Sequence, residues 1–199
     1  ILACCFSCTH QTTNNHQQVA KGGKAYGGEI RFGIPEPVNY SFPCSSEDIY
    51  TQRINTQIFE PLLKWDYTTM KVVPSLAASY QLNKSGNEIT LKLRPGVVFH
   101  NDRGLNASDV KFTLEMACSG LSINKSGHLL VDLISGAADF HLHSTKSLPS
   151  KGIKGIQILD SLTLRIKLNR RYIGFEKLLT HPNLGIISKK AFEQYGMGS

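Results

Sequence analysis

The sequence lacks the short patterns that announce most chemistries. It contains no G-x-S-x-G, no H-E-x-x-H, no P-loop and no G-x-G-x-x-G. A serine-hydrolase elbow, a zinc-protease helix and the common phosphate-cradling turns therefore have no support in it. It also lacks any run of five Lys or Arg, and any zinc-finger, RNP or basic-helix pattern. Its net charge of +7 is thus scattered over the chain, which argues against nucleic acid as a partner and for a modestly basic surface. No apolar run approaches the ~20 residues a membrane-spanning helix needs. Cysteine is scarce and unevenly placed: three of the five lie in the first eight residues, "ILACCFSC". A disulfide framework would spread them through the chain.

What is present suits an ordinary folded protein. With 199 residues and 41% hydrophobic content, the chain can build one ordinary core, or one and a half small ones. Its 17 Gly and 8 Pro are spread evenly, which fits a loop-rich α/β or α+β protein and not a disordered one. The first residue is Ile1, so a longer reading frame is expected upstream. Ile1-Leu2-Ala3-Cys4 resembles a bacterial lipobox, in which a small residue precedes a Cys that becomes lipidated. Cys4 is the candidate; Cys5 fits less well, because Cys4 would precede it. The following "THQTTNNHQQVAKGGKAYGG" is polar, Gly-rich and aperiodic, as a flexible tether would be. Residues 1–27 are therefore read as a lipobox remnant and leash.

Periodicity organises the rest. Ile30, Phe32 and Ile34 alternate with Arg31 and Gly33, predicting a strand that Pro35 and Pro37 end. "SSEDIYTQRINTQIFE" predicts a helix capped by Ser45 or Ser46, with Ile49, Ile54, Ile58 and Phe59 on its buried face. "LLKWD" predicts a short strand. "SYQLNKSGNEITLKLRPG" predicts a hairpin turning at Lys84-Ser85-Gly86-Asn87, with Ile89, Leu91 and Leu93 inward. Asn106 to Asp109 has the spacing of a capping box ahead of a helix carrying Val110, Phe112, Leu114, Met116 and Ala117. "GHLLVDLISGAADF" has helical character, and "HLHSTKSLPSKG" is read as a loop. "IKGIQILDSLTLRIKLNRR" predicts a second hairpin with Ile156, Ile158, Leu162, Leu164, Ile166 and Leu168 inward. "GFEKLL" and "SKKAFEQYG" predict short helices. The first is closed at His181-Pro182; the second is capped by Ser188 and stopped by Gly196.

The order of these pieces resembles the solute-binding proteins of family 5, the oligopeptide-, dipeptide- and nickel-binding periplasmic proteins of bacterial ABC importers. The segments that carry the resemblance are "IFEPLLKWD", "VVPSLAASY", "ITLKLRPGVVFHNDRGLNASDVKF", "GIKGIQILDSLTLRIKL" and "LLTHPNLGIISKKAFEQYG". One departure stands out: Arg103 separates Asp102 from Gly104, where the family places its Gly directly after the acidic residue. The resemblance implies a periplasmic binding protein type II-like fold of α/β (α+β) class, from the peptide-binding cluster. Residues 28–60 would begin the first lobe, 61–190 would form the family's inserted subdomain, and 191–199 would return toward the first lobe. The second lobe would be absent, so the sequence reads as an N-terminal fragment.

The resemblance also implies a function. The protein would be the substrate-binding lipoprotein of an ABC importer, without catalytic residues, metal or cofactor. It would be monomeric, would sit on the periplasmic or cell-surface side, and would deliver a peptide or related solute to permease subunits. The ligand loop would be Pro43, Cys44, Ser45, Ser46 and Glu47, with Tyr50 behind it. A helix N-terminus there offers free N–H groups to a ligand. With one edge of a cleft only, affinity for peptide is expected no better than about millimolar, or roughly −4 kcal/mol. Two other readings stay open on the residues alone. One is a small hydrolase using His100 and Asp102. The other is a metal module on His141 and His143, which would face one side of a strand. Cys44 and Cys118 are read as either a disulfide or two buried free thiols.

Overall fold

The computed structural model describes residues 18–19, 25–26, 31, 33–35 and 42–196. The chain divides into two compact units, Ile1–Pro37 and Val38–Ser199. In the first unit, β1 (Gln18–Val19) pairs antiparallel with β2 (Ala25–Tyr26). A short ladder thus lies inside the stretch expected to be a leash. The strand expected over residues 30–34 is not formed at Arg31, Gly33 or Ile34. Ile30, Phe32 and the lipidation candidate Cys4 lie outside the described residues.

The second unit is built on two antiparallel ladders. The smaller pairs β3 (Leu63–Asp66) with β4 (Lys71–Pro74). The larger is a four-stranded sheet in the order β5-β6-β8-β7, where β5 is Ala77–Leu82, β6 Glu88–Leu93, β7 Ile156–Asp160 and β8 Thr163–Lys167. Both predicted hairpins form, because alternation on a half-covered sheet fixes register. Gly86 takes φ +66° at the first turn, a backbone state glycine enters without steric cost. Ile89, Leu91 and Leu93 of β6 and Leu164 and Ile166 of β8 are fully buried on one face. Ile158 is not: β7 is the edge strand, its register shifts between Ile158 and Asp160, and Ile158 is left exposed.

Six helices complete the unit among the described residues: α1 (Ile49–Ile58), α2 (Ala107–Cys118), α3 (Gly127–Leu130), α4 (Ala137–His143), α5 (Phe175–Leu178) and α6 (Lys189–Tyr195). Helix α2 covers the sheet with Val110, Leu114, Ala117 and Cys118, and packs on β7 and β8. Fully burying such side chains is worth roughly 1.5–3 kcal/mol each. The predicted capping box is present. Asn106 Oδ1 accepts from Ser108 N at 2.8 Å, and Asp109 Oδ2 accepts from Asn106 N at 3.1 Å. The second oxygen of Asp109 reaches further, accepting from Lys189 N at 2.9 Å. One carboxylate thereby joins the starts of α2 and α6, and the Phe112–Phe192 ring contact (5.0 Å between centroids) extends the junction.

The corner with the additional Arg103 closes as a small hairpin. Val98 bridges to Gly104, and Phe99 N donates to Arg103 O at 2.8 Å. Asp102 sits at φ +59°, a left-handed state that Asp tolerates better than most residues.

Candidate functional site

Proline at the first position of a 3₁₀ turn has no N–H to leave orphaned, and Pro43–Ser45 forms such a turn ahead of α1. Four hydrogen bonds then hold the loop. The Cys44 carbonyl accepts from Lys125 N at 2.9 Å and from Ser126 Oγ at 3.0 Å. The Ser46 hydroxyl accepts from Asn55 Nδ2 at 2.6 Å, and the Ser46 carbonyl from Asn183 Nδ2 at 2.9 Å. Asn183 also donates to Ser126 Oγ at 3.1 Å. Segments far apart in sequence, 43–46, 124–126 and 182–184, are thus joined by one buried polar knot. Its donors are satisfied, while Asn183 Oδ1 is buried without a hydrogen-bond partner, so the network is not satisfied at every atom. Asn55, Ser126 and Asn183 carry it, and sequence reasoning missed all three. Nothing in their local sequence marks them, since Ser126 sits between Lys125 and Gly127 and Asn55 between Ile54 and Thr56.

The predicted ligand residues separate into two groups. Pro43, Cys44 and Ser46 are buried. Burial pushes the Cys44 thiol up to about 11, so it is an inert thiol and not a nucleophile. Ser45 is half-buried and donates to Phe42 O at 2.7 Å. Glu47 is exposed and Tyr50 half-buried, so these two remain open to a ligand. Glu47 lies 3.5 Å from Lys125 Nζ, a solvent-screened pair of little energetic worth.

The helix cap is neither Ser45 nor Ser46 but Asp48, whose Oδ1 accepts from Thr51 N at 2.7 Å. Ser46 is drawn inward by Asn55, which leaves the cap to the next acceptor along. That bond also lowers the Asp48 pKa, since it favours the ionised form. The buried residues of α1 are Thr51 and Asn55, while Ile49 and Ile58 are exposed. The expected apolar inner face is corrected accordingly.

Beside the loop, a groove of about 750 Å³ runs between the end of α1, the 97–101 corner and α6. Phe42, Ile58, Phe59, Val98, Phe99 and Phe192 are among its walls. His100 lines it too, its Nε2 3.4 Å from Ile58 O. Asp102 is exposed at the turn, its N–H donating to Phe99 O. No hydrogen bond joins His100 to Asp102 among the described residues, so the geometry of a base and its orienting acid is not assembled.

The histidine pair is also placed differently from expectation. His141 and His143 lie on α4, not on a strand or loop. Two residues apart on a helix do not share a face. His141 Nδ1 faces Cys118 O at 3.0 Å, and His143 Nδ1 faces Asp139 O at 2.8 Å. Among the described residues no group of three His, Cys, Asp or Glu is arranged to hold a metal ion. Cys44 and Cys118 are free and buried. His181 caps the 182–184 turn, its Nδ1 accepting from Asn183 N at 3.1 Å. Burial and the nearby His128 hold its pKa below the ordinary value.

This arrangement of helices on one face of an antiparallel sheet defines the class. A structure of the pheromone receptor PrgZ, described by its mode of peptide binding, superposes with a TM-score of 0.70 at 20% identity, covering 80% of this chain and 31% of that one. Burkholderia pseudomallei OppA gives 0.67 at 23% identity, covering 82% and 31%. The fold is that of part of a type II periplasmic peptide-binding protein. The chain belongs to the bacterial extracellular solute-binding proteins of family 5, whose middle-region model matches residues 71–197. Among curated relatives, the glutathione-binding protein GsiB of Pectobacterium atrosepticum is 29% identical over 154 residues, which is 77% of this chain. GsiB of Escherichia coli K12 is 28% identical over the same length. The chain spans about a quarter (26%) of the length of these relatives.

Proposed function

We propose that this chain serves a solute-binding protein of an ABC importer, which captures a peptide or peptide-like solute and presents it to permease subunits in the membrane. The observation that carries this reading is membership of the family over residues 71–197, on a fold shared with peptide-binding proteins. The relatives named for glutathione binding point to a short peptide as the solute class. The protein acts by binding and release and performs no chemistry on its cargo. It works as a monomer on the periplasmic or outer side of the membrane, held there by a lipid on Cys4.

The loop from Pro43 to Glu47, with Tyr50, forms one edge of the binding cleft. The buried knot supports this assignment. It fixes the loop backbone without using Glu47 or the Tyr50 ring, so those groups meet a ligand without reorganising the fold. Glu47 suits a peptide's cationic terminus, and Tyr50 offers an apolar body with a polar tip. One edge alone leaves the ligand solvated on its other side, so affinity is weak, on the order of millimolar.

Equilibrium dialysis with glutathione and a set of di- to pentapeptides tests the reading. Saturable binding in the millimolar range, absent for sugars of similar size, is the expected result. No saturation with any peptide, or equal binding of sugars, would overturn it. The anchor has its own test. A precursor with Cys4→Ser should leave the membrane fraction and lose lipid labelling; unchanged fractionation would contradict the lipid on Cys4.

A further inference from the structure

Several loop tips converge at one end of the second unit, and their chemistry is unlike that of the rest of the surface. Four contacts establish the convergence. Tyr80 Oη lies 3.5 Å from Val72 O, so β4 and β5 run side by side, and the 67–70 turn falls at the same end as the 84–87 turn. Tyr172 N donates to Gly86 O at 3.2 Å, which brings in the 170–173 loop. The Arg171 side chain lies along Gly86, where a Cβ would meet its Cγ at 3.1 Å. Lys177, on α5 just beyond that loop, stands over the Trp65 ring of β3 at 5.8 Å.

The two most exposed large apolar side chains among the described residues, Ile173 (84%) and Tyr67 (83%), both lie on these tips, and Met70 (65%) joins them. Around them stand exposed Lys71, Lys84, Arg170 and Arg171, none with an ion-pair partner among the described residues. The acidic groups nearby are Asp66, Glu88, Asp132 and Glu176. Glu88 is paired with Arg165 at 3.3 Å, Asp132 O accepts from Asn169 Nδ2 beside Arg170, and Glu176 Oε2 is buried. Asp66 is occupied within its turn, accepting from Thr68 N at 2.9 Å and from Thr69 Oγ1 at 2.7 Å.

We propose that this end of the unit is a membrane-docking surface, on which Ile173, Tyr67 and Met70 enter the headgroup region of a bilayer rich in anionic lipid while Arg170, Arg171, Lys71 and Lys84 meet its phosphates. The shape favours lipid over a protein partner. Tyr67 and Met70 stand on one turn and Ile173 on another loop, with exposed cations beside them and a shallow hollow lined by Arg170 to Ile173. The apolar groups are therefore dispersed and suit a deformable interface better than a rigid one. Tyrosine is favoured at that depth because its ring is apolar and its hydroxyl polar. Cationic side chains flanking such an apolar tip gain from the negative surface potential of anionic lipid, and lose that gain in salt. The docking surface is independent of the cleft loop and of Cys4, so it stands or falls apart from the proposed cargo and anchor.

The test uses the unacylated chain and vesicles of phosphatidylcholine with or without phosphatidylglycerol, read by co-sedimentation. Binding to the phosphatidylglycerol vesicles at low ionic strength, its loss in high salt and its absence on pure phosphatidylcholine are expected. R170E/R171E and Ile173→Asp should each weaken binding by about tenfold or more. Two controls guard against general stickiness. K146E/K190E makes the same charge change on other exposed positions, and Leu142→Asp changes an exposed apolar residue on α4. Both should bind close to wild type. Failure of the wild type to bind anionic vesicles, or controls that weaken binding as much as the loop variants, would overturn the proposal.

Discussion

Replacing Asp109 by Ala removes both acceptors of a carboxylate that serves two helices. Asn106 N loses its partner at the start of α2, and Lys189 N loses its partner at the start of α6. Losing the helix-cap interaction costs roughly 0.5–2 kcal/mol. Leaving a second N–H without an acceptor adds roughly 1–3 kcal/mol when it is buried. Both bonds are only partly buried, so water recovers some of this, and the lower half of the combined range applies: about 2–3 kcal/mol. With a urea m-value of about 2 kcal/mol/M, the midpoint should fall by roughly 1–1.5 M. Asp109→Asn keeps the shape and one acceptor, but turns an NH₂ toward the other N–H. It should cost about half as much. Hydrogen exchange supplies the local readout. In the Ala variant, amide protection should drop first in α6, because its anchor to α2 is gone. A midpoint for Asp109→Ala within about 0.2 M of wild type would refute the reasoning, since it would mean the two bonds contribute nothing net.

Other expectations follow from single contacts. Leu91 is fully buried in the central strand β6, so Leu91→Ala should cost about 2–5 kcal/mol in urea denaturation. A Cβ on Gly152 would collide with Glu115 Oε1, the same atom that accepts from Ile153 N at 2.9 Å. Gly152→Ala should therefore cost about 1–3 kcal/mol, and Gly152→Ala/Glu115→Ala should recover part of the loss. His181 has a folded pKa held below its ordinary 6.5. Its contribution is therefore present above pH 6.5 and lost as pH falls through the lowered value, when Nδ1 becomes a donor and can no longer accept from Asn183 N. His181→Asn keeps a cap acceptor without titrating, so thermal stability scans should show a flatter decline on the acid side than wild type. An identical slope would exclude His181 as the cause.

How far the sequence was legible depended on whether local pattern or tertiary contact decided each element. Both hairpins were readable because alternation on a half-covered sheet has one solution. Helix α2 was readable because Asn106 and Asp109 announce it three residues apart. Strand β4 was missed because Lys71–Pro74 is short and ends in proline. Helix α1 was read correctly as a helix but with the wrong inner face. Isoleucine spacing suggested an apolar stripe, whereas Thr51 and Asn55 are buried beside the polar knot. The cap could not be chosen among Ser45, Ser46 and Asp48 from sequence, since Asn55 selects Ser46 for another bond across space. His141 and His143 were read as a loop because nothing in "HLHS" signals the end of a helix that begins after Gly136. The family was readable from the order of segments. Which residues of the proposed cleft loop stay open was not, because burial separates Glu47 and Tyr50 from Cys44 and Ser46, and burial is a tertiary property.

The central claim is that the loop before α1 forms the edge of a peptide-binding cleft. It is tested most directly by following backbone amide resonances of the uniformly ¹⁵N-labelled chain while glutathione or a short peptide is added. The account predicts saturable shifts confined to the loop residues and the first turn of α1, with Glu47, Tyr50 and their neighbours moving most. They should titrate with the millimolar-range constant expected for one open edge, roughly −4 kcal/mol. Shifts that instead cluster along the groove wall at Val98, Phe99 and Phe192, or no saturable shift anywhere, would contradict it.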